Sequence, residues 1–175
     1  MHLWLFGYGS LIWRPDIEFV ERRPARVAGW TRRFWQGSHD HRGLPDAPGR
    51  VVTLIQDEGS SCDGMAYLVD RDAVEETFSR LDHREKNGYE RHAVHMEFRD
   101  DGQRESGVVY IAGVDNFAYL GPAPLAAMAS QIYRSAGPSG SNMEYLLELA
   151  HALRALDAED AHVFQLEAAV RELTP

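Results

Sequence analysis

The sequence predicts an α+β fold: a small mixed β-barrel or curled sheet with one inserted helix, followed by a helical C-terminal third. Three observations carry that expectation. Short apolar and aromatic runs bounded by Gly, Pro and Asp fill the first two thirds of the chain. A single helical pattern interrupts them. After residue 120 the apolar spacing becomes helical and stays so. With 175 residues and 44% hydrophobic content, the chain suits one domain, residues 1–175, with a real core. It shows no repeats, low-complexity segments or linker.

The elements follow in order. Leu3 to Phe6 is a continuous apolar run that reads as a strand buried on both faces. Within residues 16–36, aromatics at Trp30, Phe34 and Trp35 mark a second strand. "HDHRGLPDAPGR" (39–50) cannot be a regular element, and a loop of that length is usually functional. "RVVTLIQ" (50–56) and "CDGMAYLVD" (62–70) read as a strand pair joined by Asp57–Ser60. Asp72, with Glu75 three residues on, forms a capping box for a helix whose inner face is Val74, Phe78 and Leu81. Asn87-Gly88 is its stop signal. Strands at 89–98 and 107–114 flank an Asp100-Asp101-Gly102 turn. Helices follow at about 122–135, ended by Gly137-Pro138, at about 142–156, capped by Ser141 and Glu144, and at about 160–172. Tyr145, Leu149, Leu153 and Leu156 form a stripe on the second of these.

Charge and cysteine content narrow the function. A net charge of −9 lacks the basic footprint that nucleic acid or an anionic membrane surface requires. The expected partner is a small molecule, with no nucleic acid and no membrane. No stretch approaches a membrane span, and the N-terminus lacks a signal-peptide pattern. The one cysteine, Cys62, excludes an internal disulfide framework, so a cytoplasmic protein is expected. Nothing in the helical stripes separates a dimer surface from core packing, and a monomer is the default expectation.

One residue breaks the pattern. Val74, Phe78 and Leu81 are spaced by four and three, so the next inward position is 85, which holds Glu85. A carboxylate on a buried helix face is costly unless it is paired or used. Either the helix frays before 85 and "HREK" is a solvated charge run, or Glu85 is a general base tuned by partial burial. Arg84 and Lys86 are expected to face solvent. "FGYGSLIW" poses a second question. It lacks the third glycine of a dinucleotide fingerprint and is not a Gly-x-Ser-x-Gly elbow. Two glycines permit unusual dihedrals and close approach to a ligand, so either the N–H groups form an anion nest or the segment is a plain tight turn. His39-Asp40-His41 has metal-ligand residue types but no third partner. Cys62 carries no mark of an activated nucleophile.

Six stretches in series, "YGSLIW" (8–13), "RRFWQGS" (32–38), "HRG" with "PGRVVTL" (41–43, 48–54), "LDHREKNGY" (81–89), "YLGPAP" (119–124) and "GPSGSNMEYL" (137–146), resemble the ChaC-type, glutathione-specific γ-glutamylcyclotransferases. The resemblance implies a γ-glutamylcyclotransferase-like barrel decorated by helices. It also implies release of 5-oxoproline and cysteinylglycine from glutathione without metal or cofactor. By the same resemblance Glu85 is the catalytic acid/base, and Tyr8, Gly9, Ser10 and Leu11 are the substrate-cradling loop. Arg50 and Tyr119 are pocket residues, and Gln36 lies near the pocket. Asp46 has no assigned role.

The chemistry fits such a residue set. The α-amine of a γ-glutamyl amide can close a five-membered ring on its own side-chain carbonyl. Well-oriented intramolecular attack reaches effective molarities of roughly 10⁵–10⁸ M, so no enzyme nucleophile is needed. Three alternatives differ from glutathione cleavage: a cyclotransferase for other γ-glutamyl amines, a binding module without turnover, and a metal-dependent hydrolase using His39 and His41. Chelator sensitivity marks the last.

Overall fold

A computed structural model describes residues 2–175. Five strands, β1 (Leu3–Gly7), β2 (Glu21–Ser38), β3 (Gly49–Val69), β4 (Tyr89–Phe98) and β5 (Arg104–Ala112), close into a barrel in the order β1-β3-β2-β4-β5. Neighbours are antiparallel except β1 and β5, which pair in parallel from Trp4–Gly107 to Phe6–Val109. The seam between β2 and β4 is short, with only Ala25–Phe98 and Arg26–Glu97 paired. Leu5, Phe6, Phe34, Leu54, Tyr67 and Phe98 fill the buried core.

β2 and β3 form a ribbon registered from Glu21–Leu68 to Ser38–Gly49. Residues 50–56 and 62–70 therefore do not pair with each other, contrary to the expected hairpin. Both halves pair with β2 within one long strand. The register jumps from Trp30–Gln56 to Ala28–Ser61, so Gly29 stands opposite Asp57–Ser60. Gly29 and Gly59 have φ of 83° and 88°. The turn-forming residues form a β-bulge at a bend, with Asp57, Glu58 and Gly59 exposed.

α1 (Val74–Arg84) joins β3 to β4 and buries Thr77, Phe78 and Leu81. Its approach is capped by Asp70, whose carboxylate accepts from the Asp72 N–H at 3.0 Å. Asp72 thus lies inside a 3₁₀ turn (Arg71–Ala73) instead of capping the helix. The helix stops at Arg84, three residues before Asn87, and Gly88 (φ 98°) turns the chain into β4.

The C-terminal third holds α2 (Leu125–Arg134), α3 (Asn142–Ala155) and α4 (Ala161–Leu173), with a small hairpin of β6 (Ala136–Gly137) and β7 (Gly140–Ser141) before α3. Ser141 Oγ accepts from the Glu144 N–H at 3.1 Å and Asp160 accepts from the Val163 N–H at 3.1 Å, so both helices are capped by side chains. Tyr145, Leu149 and Leu153 are buried, as the stripe predicts, and α3 packs against β3. Among the described residues no helix is long and apolar enough to cross a membrane.

One polar seam ties helices to barrel. Asn142 Oδ1 accepts the Arg50 N–H at 2.8 Å and its Nδ2 donates to the Arg50 carbonyl at 2.7 Å, as a neighbouring strand would. Both are buried, so each lost partner costs about 1–3 kcal/mol. Asn142→Ala is expected to lower unfolding free energy in urea by about 2–4 kcal/mol. A change below about 0.5 kcal/mol, the range of surface substitutions, would refute that role for the seam.

Candidate active site

After β1 the chain turns sharply. Gly9 carbonyl accepts the Ile12 N–H at 2.9 Å and Ser10 carbonyl accepts the Arg14 N–H at 2.7 Å. The N–H groups of Gly9, Ser10 and Leu11 take no acceptor among the described residues, as at the start of a helix. Neither Gly7 nor Gly9 has positive φ, so space and not dihedral freedom bears on both positions. A Cβ on Gly7 would meet the Leu11 Cβ at 2.7 Å, and one on Gly9 would meet the Tyr145 hydroxyl and Val52 Cγ2 at 3.0 Å each. Close approach, not unusual dihedrals, explains the pair.

Glu85 is the residue on which α1 ends. Its N–H still donates to Leu81 at 2.8 Å, so the backbone is held in the helix while the side chain turns to the barrel mouth. The side chain is 16% exposed. Among the described residues its carboxylate accepts no hydrogen bond and has only Arg84 Nε at 3.7 Å. Burial raises its pKa, while Arg84 and His41 pull it down and Asp40 pushes it up; the net direction is upward.

Glu85 lines a cavity of about 250 Å³ together with Ser10, Arg42, Tyr89 and Tyr145. A smaller niche of about 40 Å³ shares Ser10, Glu85, Tyr89 and Tyr145 with it and is lined further by Tyr8, Gly9 and Leu11. The glycine turn and the carboxylate therefore meet in one place. The 39–48 loop supplies Asp40, His41 and Arg42 to the same wall. His41 faces Ser139 Oγ at 3.1 Å and the Arg84 carbonyl at 3.0 Å, bracing the peptide before Glu85. Arg14 and Asp16 are the exposed members of the lining, and Arg14 makes no ion pair among the described residues.

Other expected residues stand elsewhere. Arg50 lines neither cavity. Its Nε donates to Gln131 at 2.7 Å and its Nη1 to the Phe34 and Gly121 carbonyls at 2.9 Å each, so its guanidinium serves the fold. Gln36 is fully buried behind the site, donating to the Asn87 carbonyl and exchanging hydrogen bonds with Asn116. Tyr119 bridges Gln36 through the backbone and also lies outside both cavities. Asp46 is exposed and lines neither. Arg84, expected in solvent, is half-buried and donates to Ser10 Oγ at 2.9 Å and the Pro15 carbonyl at 3.1 Å. That contact takes up an acceptor position of Ser10 Oγ and ties the turn to the end of α1. Burial pushes the Cys62 thiol up to about 11, and it lines a different cavity. No cluster of three or more His, Cys, Asp or Glu with metal-binding geometry occurs among the described residues. Tyr145 carries no separate signal in the sequence because it sits on an apolar stripe equally well explained as core, and Tyr89 none because it opens a strand whose first residues are polar.

The site sets a largely buried carboxylate beside unpartnered main-chain N–H groups at a cavity sized for a small molecule. The chain belongs to the ChaC-like protein family, whose model matches residues 3–173. It is 43% identical over 173 residues to glutathione-specific γ-glutamylcyclotransferase 1 of Danio rerio, covering 96% of this chain and 88% of that one. It is 36% identical over 197 residues to the glutathione-specific γ-glutamylcyclotransferase of Saccharomyces cerevisiae, covering 86% and 85%. A crystal structure of a yeast γ-glutamyl cyclotransferase specific to glutathione superposes with a TM-score of 0.91 at 32% identity, over 98% of this chain and 96% of that one.

An acid whose pKa is raised by folding adds stability only below its unfolded pKa and loses it as pH rises through the folded value. At neutral pH the ionised Glu85 therefore opposes folding. Glu85→Gln is expected to melt above the native protein at pH 7–8, with the gap closing as pH falls toward 4. A variant that melts lower at neutral pH would mean that the carboxylate is structurally paired.

Proposed function

We propose that this protein cleaves glutathione by internal cyclisation, releasing 5-oxoproline and cysteinylglycine. The observation that carries this is the Glu85 carboxylate, which lines the cavity without a hydrogen-bond partner of its own. Two relatives are named for activity on glutathione.

The substrate α-amine binds as an ammonium; its free α-carboxylate makes it more basic than a peptide N-terminus, whose pKa is about 8. Glu85, ionised, takes its proton, and a raised pKa brings base and amine closer to matching. The freed nitrogen bonds to the γ-carbonyl carbon, and the carbonyl electron pair moves onto oxygen. When that pair returns, the bond to the cysteine nitrogen breaks and Glu85 hands its proton to the departing amine. The ring nitrogen then gives its surplus proton to the Glu85 carboxylate, which passes it to the product amine. In this way 5-oxoproline leaves as a neutral lactam and cysteinylglycine as an ammonium. No water is consumed and no enzyme nucleophile is acylated, in keeping with an inert Cys62 and a Ser10 held by Arg84. The unpartnered N–H groups of Gly9, Ser10 and Leu11 hold the substrate α-carboxylate. Arg14, the unpaired cation on the lining, receives the glycine carboxylate in place of Arg50.

Incubation with glutathione is expected to yield equimolar 5-oxoproline and cysteinylglycine, undiminished by excess chelator. Glu85→Gln lowers kcat by at least about 10²–10⁴-fold with glutathione still bound. Arg14→Ala raises KM for glutathione with kcat nearly unchanged. No 5-oxoproline from glutathione would refute the assignment, and 5-oxoproline from γ-Glu-Ala or γ-Glu-ε-Lys alone would shift it to other γ-glutamyl amines.

A further inference from the structure

Four tyrosines, Tyr8, Tyr89, Tyr110 and Tyr145, surround the niche behind Glu85. Three have committed their hydroxyl protons. Tyr8 donates to the Tyr110 carbonyl at 2.6 Å, Tyr89 to the Val52 carbonyl at 2.7 Å and Tyr110 to Asp82 at 2.7 Å. Tyr145 differs. Its oxygen accepts the Val52 N–H at 3.2 Å, and its own O–H has no acceptor among the described residues. A phenol whose acceptor side is taken and whose donor side is free is set to give one hydrogen bond.

Its position is held tightly. The Trp13 ring meets it edge-on at 5.4 Å, Phe34 meets it at 5.8 Å and 90°, and the Arg42 guanidinium lies over its face at 5.7 Å. The space a Cβ on Gly9 would occupy is 3.0 Å from the Tyr145 oxygen, so the hydroxyl hangs directly over the glycine turn. Tyr145 lines both cavities with Glu85.

We propose that Tyr145 is a catalytic residue, donating its hydroxyl hydrogen to the oxygen of the γ-carbonyl as negative charge develops there. The assignment rests on the cyclisation described above. When the α-amino nitrogen bonds to carbon, the π pair moves to oxygen and the Tyr145 O–H bonds to that oxyanion without surrendering its proton. When the pair returns and the cysteinyl nitrogen leaves with the Glu85 proton, the hydrogen bond weakens again. Burial holds the phenol above its ordinary pKa, which keeps the donor protonated throughout. A donor fixed beforehand needs no reorganisation during the reaction.

Tyr145→Phe keeps the ring and its packing but removes the donor. It is expected to lower kcat about 10²–10³-fold with KM nearly unchanged. Replacing Tyr145 by a ring-fluorinated tyrosine, a stronger acid and better donor, is expected to keep kcat at or above the native value at neutral pH. A native-like kcat in Tyr145→Phe, or a fluorinated enzyme whose kcat falls as far as that of Tyr145→Phe at neutral pH, overturns the assignment while leaving glutathione cleavage intact. A native protein inactive on glutathione overturns both together.

Discussion

A largely buried carboxylate without a hydrogen bond from the protein is unfavourable, and the surroundings of Glu85 leave it without one among the described residues. The final turn of α1 fixes its backbone through Leu81, and His41 braces the preceding peptide carbonyl. Arg84, which could have formed a close ion pair with it, is drawn away to Ser10 and Pro15. What remains is a carboxyl group that favours its neutral form more than a solvated glutamate does. That cost is borne by the barrel core and the capped helices, whose burial and hydrogen bonding lie elsewhere in the chain.

The same division of labour explains the N-terminal turn. Gly7 lets the chain fold back on Leu11, and Gly9 makes room for the Tyr145 hydroxyl. Each glycine permits a contact that a methyl group would block, and the result is a set of free N–H groups beside the base. Arg50 shows the opposite use of a polar residue. Its guanidinium satisfies two carbonyls and Gln131, and Asn142 completes its backbone pairing, so the helical third is fastened to the barrel at the wall behind the cavity.

Much of this was legible in the sequence because local rules and tertiary structure agree. β4, α3 and α4 begin within a residue of the expected 89, 142 and 160, α3 behind its Ser141 cap, and Glu85 is visible as a charge at an apolar position. The β2–β3 ribbon was not legible, because a Gly-rich bulge and a hairpin turn use the same residues, and only long-range pairing with β2 distinguishes them. Arg84 and Tyr145 were read by periodicity as surface and core. Periodicity describes one element at a time, whereas a cavity forms where β1, β3, α1 and α3 meet. The resemblance implies pocket roles for Arg50, Gln36 and Tyr119, and none of the three lines either cavity.

The central claim is that Glu85 is a base whose proton affinity is raised by its burial. Titration of its side-chain carboxyl by ¹³C NMR in the free protein measures this directly, alongside the pH dependence of kcat/KM for glutathione. The expected midpoint lies above the ordinary glutamate value of about 4.3, and the acid limb of kcat/KM falls at that same midpoint. A midpoint at or below the ordinary value, or an acid limb that does not follow it, would contradict the account.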